Sequence, residues 1–286
     1  MDFILTLIPK LPIAEVVKNI TSYLTNAWSP FFDAIQAIGT GITDGLTIAL
    51  QAIPPLLFIL FCTACAYWMK RKERKFGFPL FVLGGLWLIY NQALWEPFIN
   101  TLSLIIISSV LSILIGVPLG ILMGKSDLAQ SIIKPILDFM QTMPAFVYLI
   151  PAVAFFGIGV VPGTFASVIF ALPPTVRFTN LGLRQIPKEL IEAADSFGST
   201  EIQKLCKLDL PLAKPTIMAG INQTVMLSLS MVVIASMIGA PGLGRDVLSA
   251  LQRAQVGNGF VAGLGIVILA IIIDRFSQKF NQPIEK

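Results

Sequence analysis

Few residues in this 286-residue sequence are equipped for chemistry, and their types exclude most reactions. There is no histidine, the commonest general base and metal ligand near neutral pH. Cys62 and Cys65 form a C-x-x-C, but it lies inside the apolar run 58–68 and has no second ligand pair. They read as small helix- or lipid-facing side chains rather than a redox or zinc site. Cys206 stands alone, so no disulfide is expected. The stretch Gly120 to Gly124-Lys125-Ser126 has the outline of a phosphate loop. That spacing wants a glycine at 119, where leucine stands, and no soluble strand precedes it. No nucleotide site is expected in the chain.

The one long organised polar stretch runs from Arg184 to Pro215, and its pattern is that of a surface. Pro187 suits the first position of a helix. Glu189 and Glu192 fall in the early turns, where the helix dipole favours them. Leu190, Ala194 and Phe197 repeat as an i, i+4, i+7 apolar stripe. Gly198 can take the left-handed conformation that ends a helix. Thr200 and Gln203 fit a capping box for a second helix, which Pro211 is expected to stop. Two short amphipathic helices with no nucleophile and no base form a docking device, mechanical rather than catalytic.

Other candidates lie inside apolar segments: the polar Asp138, Gln141, Thr142 and Tyr148 with Met143, Phe146, Phe155 and Phe156 in one, Asn222 and Gln223 in another. Polar groups at that depth beside a proline kink suggest a lumen. Packing for the aromatics and interhelical hydrogen bonding for the amides are the plainer uses.

The elements that must position these residues follow from composition. The chain is 55% hydrophobic and 13% charged, with mean hydropathy +0.81, against about 25% charged for a soluble domain. Seven apolar stretches approach the roughly 20 residues needed to cross a bilayer: 46–69, 77–95, 98–124, 135–157, 163–183, 215–240 and 259–275. The start Met1-Asp2-Phe3 lacks a signal peptide's basic region, so no cleavage is expected. Lys70 to Lys75, five basic residues in six, place the loop after the first stretch in the cytoplasm. Alternation then puts the N-terminus outside, and 125–134, 184–214 and the C-terminus inside. Only Lys10, Lys18, Arg245 and Arg253 fall outside. Residues 13–40 read as one or two amphipathic helices on the outer surface, with a break near Ser29-Pro30; an eighth span is the rival. Pro54-Pro55, Pro118, Pro144, Pro151 and Pro173-Pro174 are each expected to break a helix beside protein or water. Gly116, Gly120 and Gly124 line one helix face suited to close packing. Residues 245–256 read as a short outer helix or a plain connector. The expected fold is an all-α integral membrane protein of about seven transmembrane helices plus an N-terminal interfacial helix. Residues 1–45 form the outer segment and 46–280 the membrane domain.

Glu192-Ala193-Ala194-x-x-x-Gly198, followed by Leu208-x-Leu210-Pro211, resembles the EAA signature of permease subunits of bacterial ABC importers; Leu208 stands where that family usually has isoleucine. The stretches 139–151, 159–163, 173–177, 220–223 and 239–244 are similar to glycine betaine/proline permeases of osmoprotectant uptake systems. The resemblance implies a type I importer permease fold in the bacterial cytoplasmic membrane. It also implies a homodimer with an ATP-binding subunit on each cytoplasmic loop, and a separate external substrate-binding protein. ATP and magnesium would be held by the partner, and no cofactor or metal by this chain. Glu189, Glu192, Ala193, Ala194, Gly198, Leu208, Leu210 and Pro211 carry over as coupling positions. Gln141, Met143, Phe146, Tyr148, Asn222 and Gln223 are the candidate translocation path. The solute would be glycine betaine, with choline, carnitine or proline as alternatives and an ion-coupled carrier as a different class. Membrane lipid is an expected partner and nucleic acid is not. The basic cluster 70–75 could sense ionic strength through anionic lipid.

Overall fold

The computed structural model describes residues 12–70 and 76–280, all of whose regular elements are helical. In chain order they are α1 (Ile13–Ala27), α2 (Ser29–Gln51), α3 (Pro55–Lys70), α4 (Gly77–Asn91), α5 (Trp95–Lys125), α6 (Asp127–Thr142) and α7 (Leu149–Phe156). Then come α8 (Val160–Arg184), α9 (Lys188–Ser196), α10 (Glu201–Lys204), α11 (Leu210–Ala235), α12 (Leu243–Gln252) and α13 (Val256–Phe280). Four straight helical segments are long and apolar enough to cross a membrane: Trp95–Lys125, Val160–Arg184, Glu201–Ile238 and Val256–Lys279. Two bent helix pairs pass the same test of length and composition when each pair is taken together, and α4 is a shorter apolar helix. The seven apolar stretches of the sequence each have a helical counterpart. The cluster at 71–75 lies outside the described residues.

The centre is α8, held between α5 and α11, and glycine sets both contacts. A Cβ added at Gly116, Gly120 or Gly124 would meet Thr175 at 2.9 Å, Thr179 at 2.5 Å and Leu183 at 2.8 Å respectively. The glycine face therefore lies against a ladder at the same spacing on α8, where lipid gives no hydrophobic drive and close van der Waals contact must bind the helices. On the opposite side, Gly182 faces Ala213 and Thr216, and Gly220 faces Phe178. Buried hydroxyls bridge the trio: Ser112 Oγ donates to the Val168 carbonyl at 3.0 Å, and Thr224 Oγ1 to the Ala171 carbonyl at 2.8 Å. The Gly120–Ser126 stretch that outlines a phosphate loop is the packed end of α5. A second core, centred on Leu86, Phe98, Ile105, Val232 and Leu269, joins α4, α5, α11 and α13.

The helix breaks expected at Pro54-Pro55 and at Pro144 both occur. Within 46–69, α2 runs on from Ser29 to Gln51 and α3 leaves it at 90° across residues 52–54. The 135–157 stretch is likewise split, with α6 meeting the segment 145–156 at 112° across Met143 and Pro144. Pro54-Pro55 and Pro144 supply the breaks, since the residue before proline is pushed out of the α region. Pro118 and Pro173-Pro174, however, sit inside unbroken helices. Pro173 and Pro174 are buried against neighbours, so packing holds the helix through the lost hydrogen bonds. Nor does Pro211 stop a helix; it is early in α11, which continues from α10 through a π-helical turn, Leu205–Asp209. The proline follows directly on that wide turn, where the regular hydrogen-bond ladder is already interrupted and a missing donor costs least. Most of the segment 245–256 is helical: it belongs to α12, Leu243–Gln252, which packs against α13.

Candidate coupling surface and translocation face

The polar loop folds largely as its residues dictate. Pro187 occupies the N-cap of α9, one residue earlier than read from sequence, and Glu189 is in the first turn. Gly198 has φ +74° and closes the helix, with the Gly198 N–H reaching the Asp195 carbonyl at 2.9 Å. The capping box forms as expected: Gln203 N–H donates to Thr200 Oγ1 and Thr200 N–H to Gln203 Oε1. Glu192 and Ala193 are exposed and Ala194 is partly covered. Of the apolar stripe, Phe197 is 90% exposed and Leu190 42%; Ile202 of α10 is 75% exposed as well. Together they give the loop an apolar outer surface. What holds α9 to the membrane domain is Ile191 instead, packed among Leu183, Ile186, Leu210, Ala213 and Ile217. Leu208 and Leu210 are partly buried, and Pro211 is exposed.

Sequence reasoning missed the ionic anchors. Lys204 is buried, and its Nζ donates to Asp195 and Glu201 at 2.6 Å each, tying the end of α9 to α10. The Asp195 carboxylate first, and then Glu201, hold the Lys204 ammonium above the ordinary lysine pKa of 10.5. The Glu201–Lys204 spacing carries a signal, since residues three apart share a helix face; the partner across the turn does not. Lys125, at the end of α5, reaches Asp209 at 2.6 Å; the Asp209 side chain is only 4% exposed. Arg184 donates to the Met123 carbonyl at 2.9 Å and pairs with Asp127 at 2.7 Å. The loop is thus clamped at its base while its apolar stripe stays free.

The candidate translocation residues divide. Tyr148 is buried against Phe170 and donates to the Met140 carbonyl, while Met143 packs in the same cluster. Phe155 stacks on Phe32 of α2 and Phe156 meets the same ring edge-on, with ring centroids at 4.9 and 5.6 Å. These aromatics pack rather than line an open face. Gln141, Phe146 and Gln223 are exposed. Asn222 Oδ1 is buried without a hydrogen-bond partner, so the interhelical bond expected for it is not made through that atom. A charged pair joins this face: Arg177 of α8 donates through Nη2 to Asp138 of α6. No group of three or more metal-ligating side chains occurs among the described residues.

Comparison with known proteins adds three findings. Residues 116–285 match the family described as binding-protein-dependent transport system inner membrane component. The chain is 56% identical over 275 residues to a glycine betaine/carnitine transport permease protein, GbuB, of Listeria monocytogenes, covering 96% of this chain and 97% of that one. It is 48% identical over 274 residues to a glycine betaine transport system permease protein, OpuAB, of Bacillus subtilis, covering 96% of both. It is 45% identical to the glycine betaine/proline betaine permease ProW of Escherichia coli, covering 94% of this chain and 75% of that one. Among solved structures, inward-facing forms of the MetNI methionine ABC transporter share the fold. One has TM-score 0.59 at 22% identity, covering 66% of this chain and 94% of that one.

Proposed function

Since the chain belongs to the family of binding-protein-dependent transport system inner membrane components, we propose that it is the membrane-spanning subunit of an ATP-driven importer of glycine betaine. Relatives named for glycine betaine transport match it almost end to end, which supports the solute class. The observation that carries the role is the loop at 184–214. It has a rigid base clamped by Lys125, Arg184 and Lys204, and an exposed tip bearing Leu190, Phe197 and Ile202. That tip takes the ATP-binding subunit. Glu189, Glu192, Ala193, Ala194 and Gly198 form its contact helix and hinge; Leu208, Leu210 and Pro211 join it to α11.

In this reading the chain works as a homodimer, with its N-terminus outside and C-terminus inside the cytoplasmic membrane. Residues 1–45 lie at the outer surface, where an external binding protein delivers solute, and 46–280 form the permease domain. ATP binding by the partner subunits draws the two loops together, and the stiff base passes that motion to α11 and α8. The path between the copies, bordered by Gln141, Phe146, Asn222 and Gln223, then opens outward. Hydrolysis, at a site belonging to the partner, resets it. The test is uptake of labelled glycine betaine by liposomes holding the assembled complex, with choline, carnitine and proline as competitors. ATP-dependent accumulation is expected, and accumulation without the ATP-binding subunit would refute the reading.

A further inference from the structure

The proposed function gives no part to the charged pair between α6 and α8. Asp138 and Arg177 have side chains 53% and 37% exposed. A second pair, Asp127 with Arg184, joins the same helices at their cytoplasmic ends. Arg177 lies seven residues along α8 from Arg184, a rise of about 10 Å at 1.5 Å per residue. It is therefore inside the membrane, on a helix with a membrane-crossing composition. Hydrocarbon is a costly surrounding for such charges, which in membrane helices face a bundle interior or a water-filled cavity. A partly exposed ion pair at that depth must face water, solute or a second copy of the chain.

The guanidinium is also incompletely used. Asp138 engages it through Nη2, while Nε is sealed from solvent with no hydrogen-bond partner. Arginine offers five donors in a planar fork that matches a carboxylate in two parallel hydrogen bonds. A guanidinium held by one carboxylate oxygen is poised to exchange that oxygen for another carboxylate.

The geometry points to Arg177 as the carboxylate-binding residue of the translocation path, with Asp138 as the internal anion that occupies it between solutes. The ligand class is a small zwitterion whose carboxylate pairs with Arg177; a quaternary ammonium alcohol lacks that group. This assignment rests on the importer reading above.

The test is the amount of labelled glycine betaine moved per ATP hydrolysed, in liposomes holding permease, ATP-binding subunit and binding protein. Arg177→Gln should lower that ratio about tenfold or more, the scale of one lost charge-assisted pair. Arg177→Lys keeps a charge for Asp138 but loses the fork, and should lower it several-fold. Asp138→Asn should stay at least fivefold above Arg177→Gln, because the solute replaces the lost anion. The charge swap Asp138→Arg with Arg177→Asp rebuilds the pair the other way round and should remain deficient. A swap that restores the ratio would show a purely structural pair, facing the second copy, and overturn the assignment. So would a wild-type ratio for Arg177→Lys, which decides the matter even if Arg177→Gln fails to assemble. A wild-type complex that accumulates no glycine betaine overturns the importer reading instead.

Discussion

Replacing Gly120 by alanine adds one methyl group at the tightest point of the central seam. The new Cβ would lie 2.5 Å from Thr179 Cβ and 2.7 Å from the Val176 carbonyl oxygen, a backbone atom that cannot rotate away. Carbon contacts settle near 3.5–4.0 Å, so α5 must retreat from α8 by about 1 Å. A gap of that size forfeits roughly a quarter to a half of each van der Waals contact it opens. It also stretches the 3.0 Å hydrogen bond from Ser112 to Val168 toward breaking. The cost should be about 1–3 kcal/mol, the usual range for overpacking. Gly84 is the control, because a Cβ there meets nothing within 4 Å. Gly84→Ala should be neutral or stabilise by about 0.5–1 kcal/mol through helix propensity. The assay is the thermal midpoint for loss of the monodisperse detergent-solubilised complex, with uptake measured in parallel. A Gly120→Ala protein as heat-stable as Gly84→Ala would refute the seam argument.

Other outcomes follow from the loop. Phe197→Asp should leave the permease's thermal midpoint unchanged, since the ring is 90% exposed, yet sharply reduce co-purification of the ATP-binding subunit. Gly198→Val forces a β-branched residue into φ +74° and should cost about 1–3 kcal/mol locally and uncouple hydrolysis from uptake, with Gly198→Asn milder. Lys125→Ala strands the buried Asp209 carboxylate and should destabilise by about 2 kcal/mol after allowing for the half-exposed lysine, while adding Asp209→Asn should recover most of it. The Lys204 ammonium, held above its ordinary value by Asp195 and Glu201, gives stability that is complete below pH 10.5 and is lost only as pH rises through its folded-state pKa. Lys204→Met should therefore impair coupling to the same degree at pH 6.5 and at pH 8.5, read as the ratio of variant to wild-type uptake.

Periodicity and hydropathy made the helices legible, because a chain crossing lipid must satisfy its backbone within each segment. The glycine face at 116, 120 and 124 was legible too, since small residues four apart have one evident use. Shape was less so. Proline at 54 and 144 breaks a helix, whereas Pro173 and Pro174 ride within α8, and only the neighbours at each place tell the cases apart. At the loop, local signals read correctly: the capping box, Gly198 and the apolar stripe all depend on residues close in sequence. The clamps did not read, because Lys125 to Asp209 and Arg184 to Met123 join positions far apart in the chain. The packing of Phe155 and Phe156 on Phe32 was hidden for the same reason.

The helical run from Glu201 to Ile238 begins at a capping box on one side of the membrane and ends beside Gly159 on the other, where the Gly159 N–H meets the Ile238 carbonyl at 2.9 Å. At 38 residues it is a rod of about 55 Å. It tightens into a 3-10 turn only at its far end, Ser236–Ile238, and widens at Leu205–Asp209, next to the loop, where the ladder of hydrogen bonds is loosest. A lever behaves this way when its pivot lies near the hand: a small tilt at the loop becomes a larger sweep at the far end. Motion at the loop therefore needs no relay of intermediate contacts to reach the far end of the helix. The loop and that end belong to one solid part.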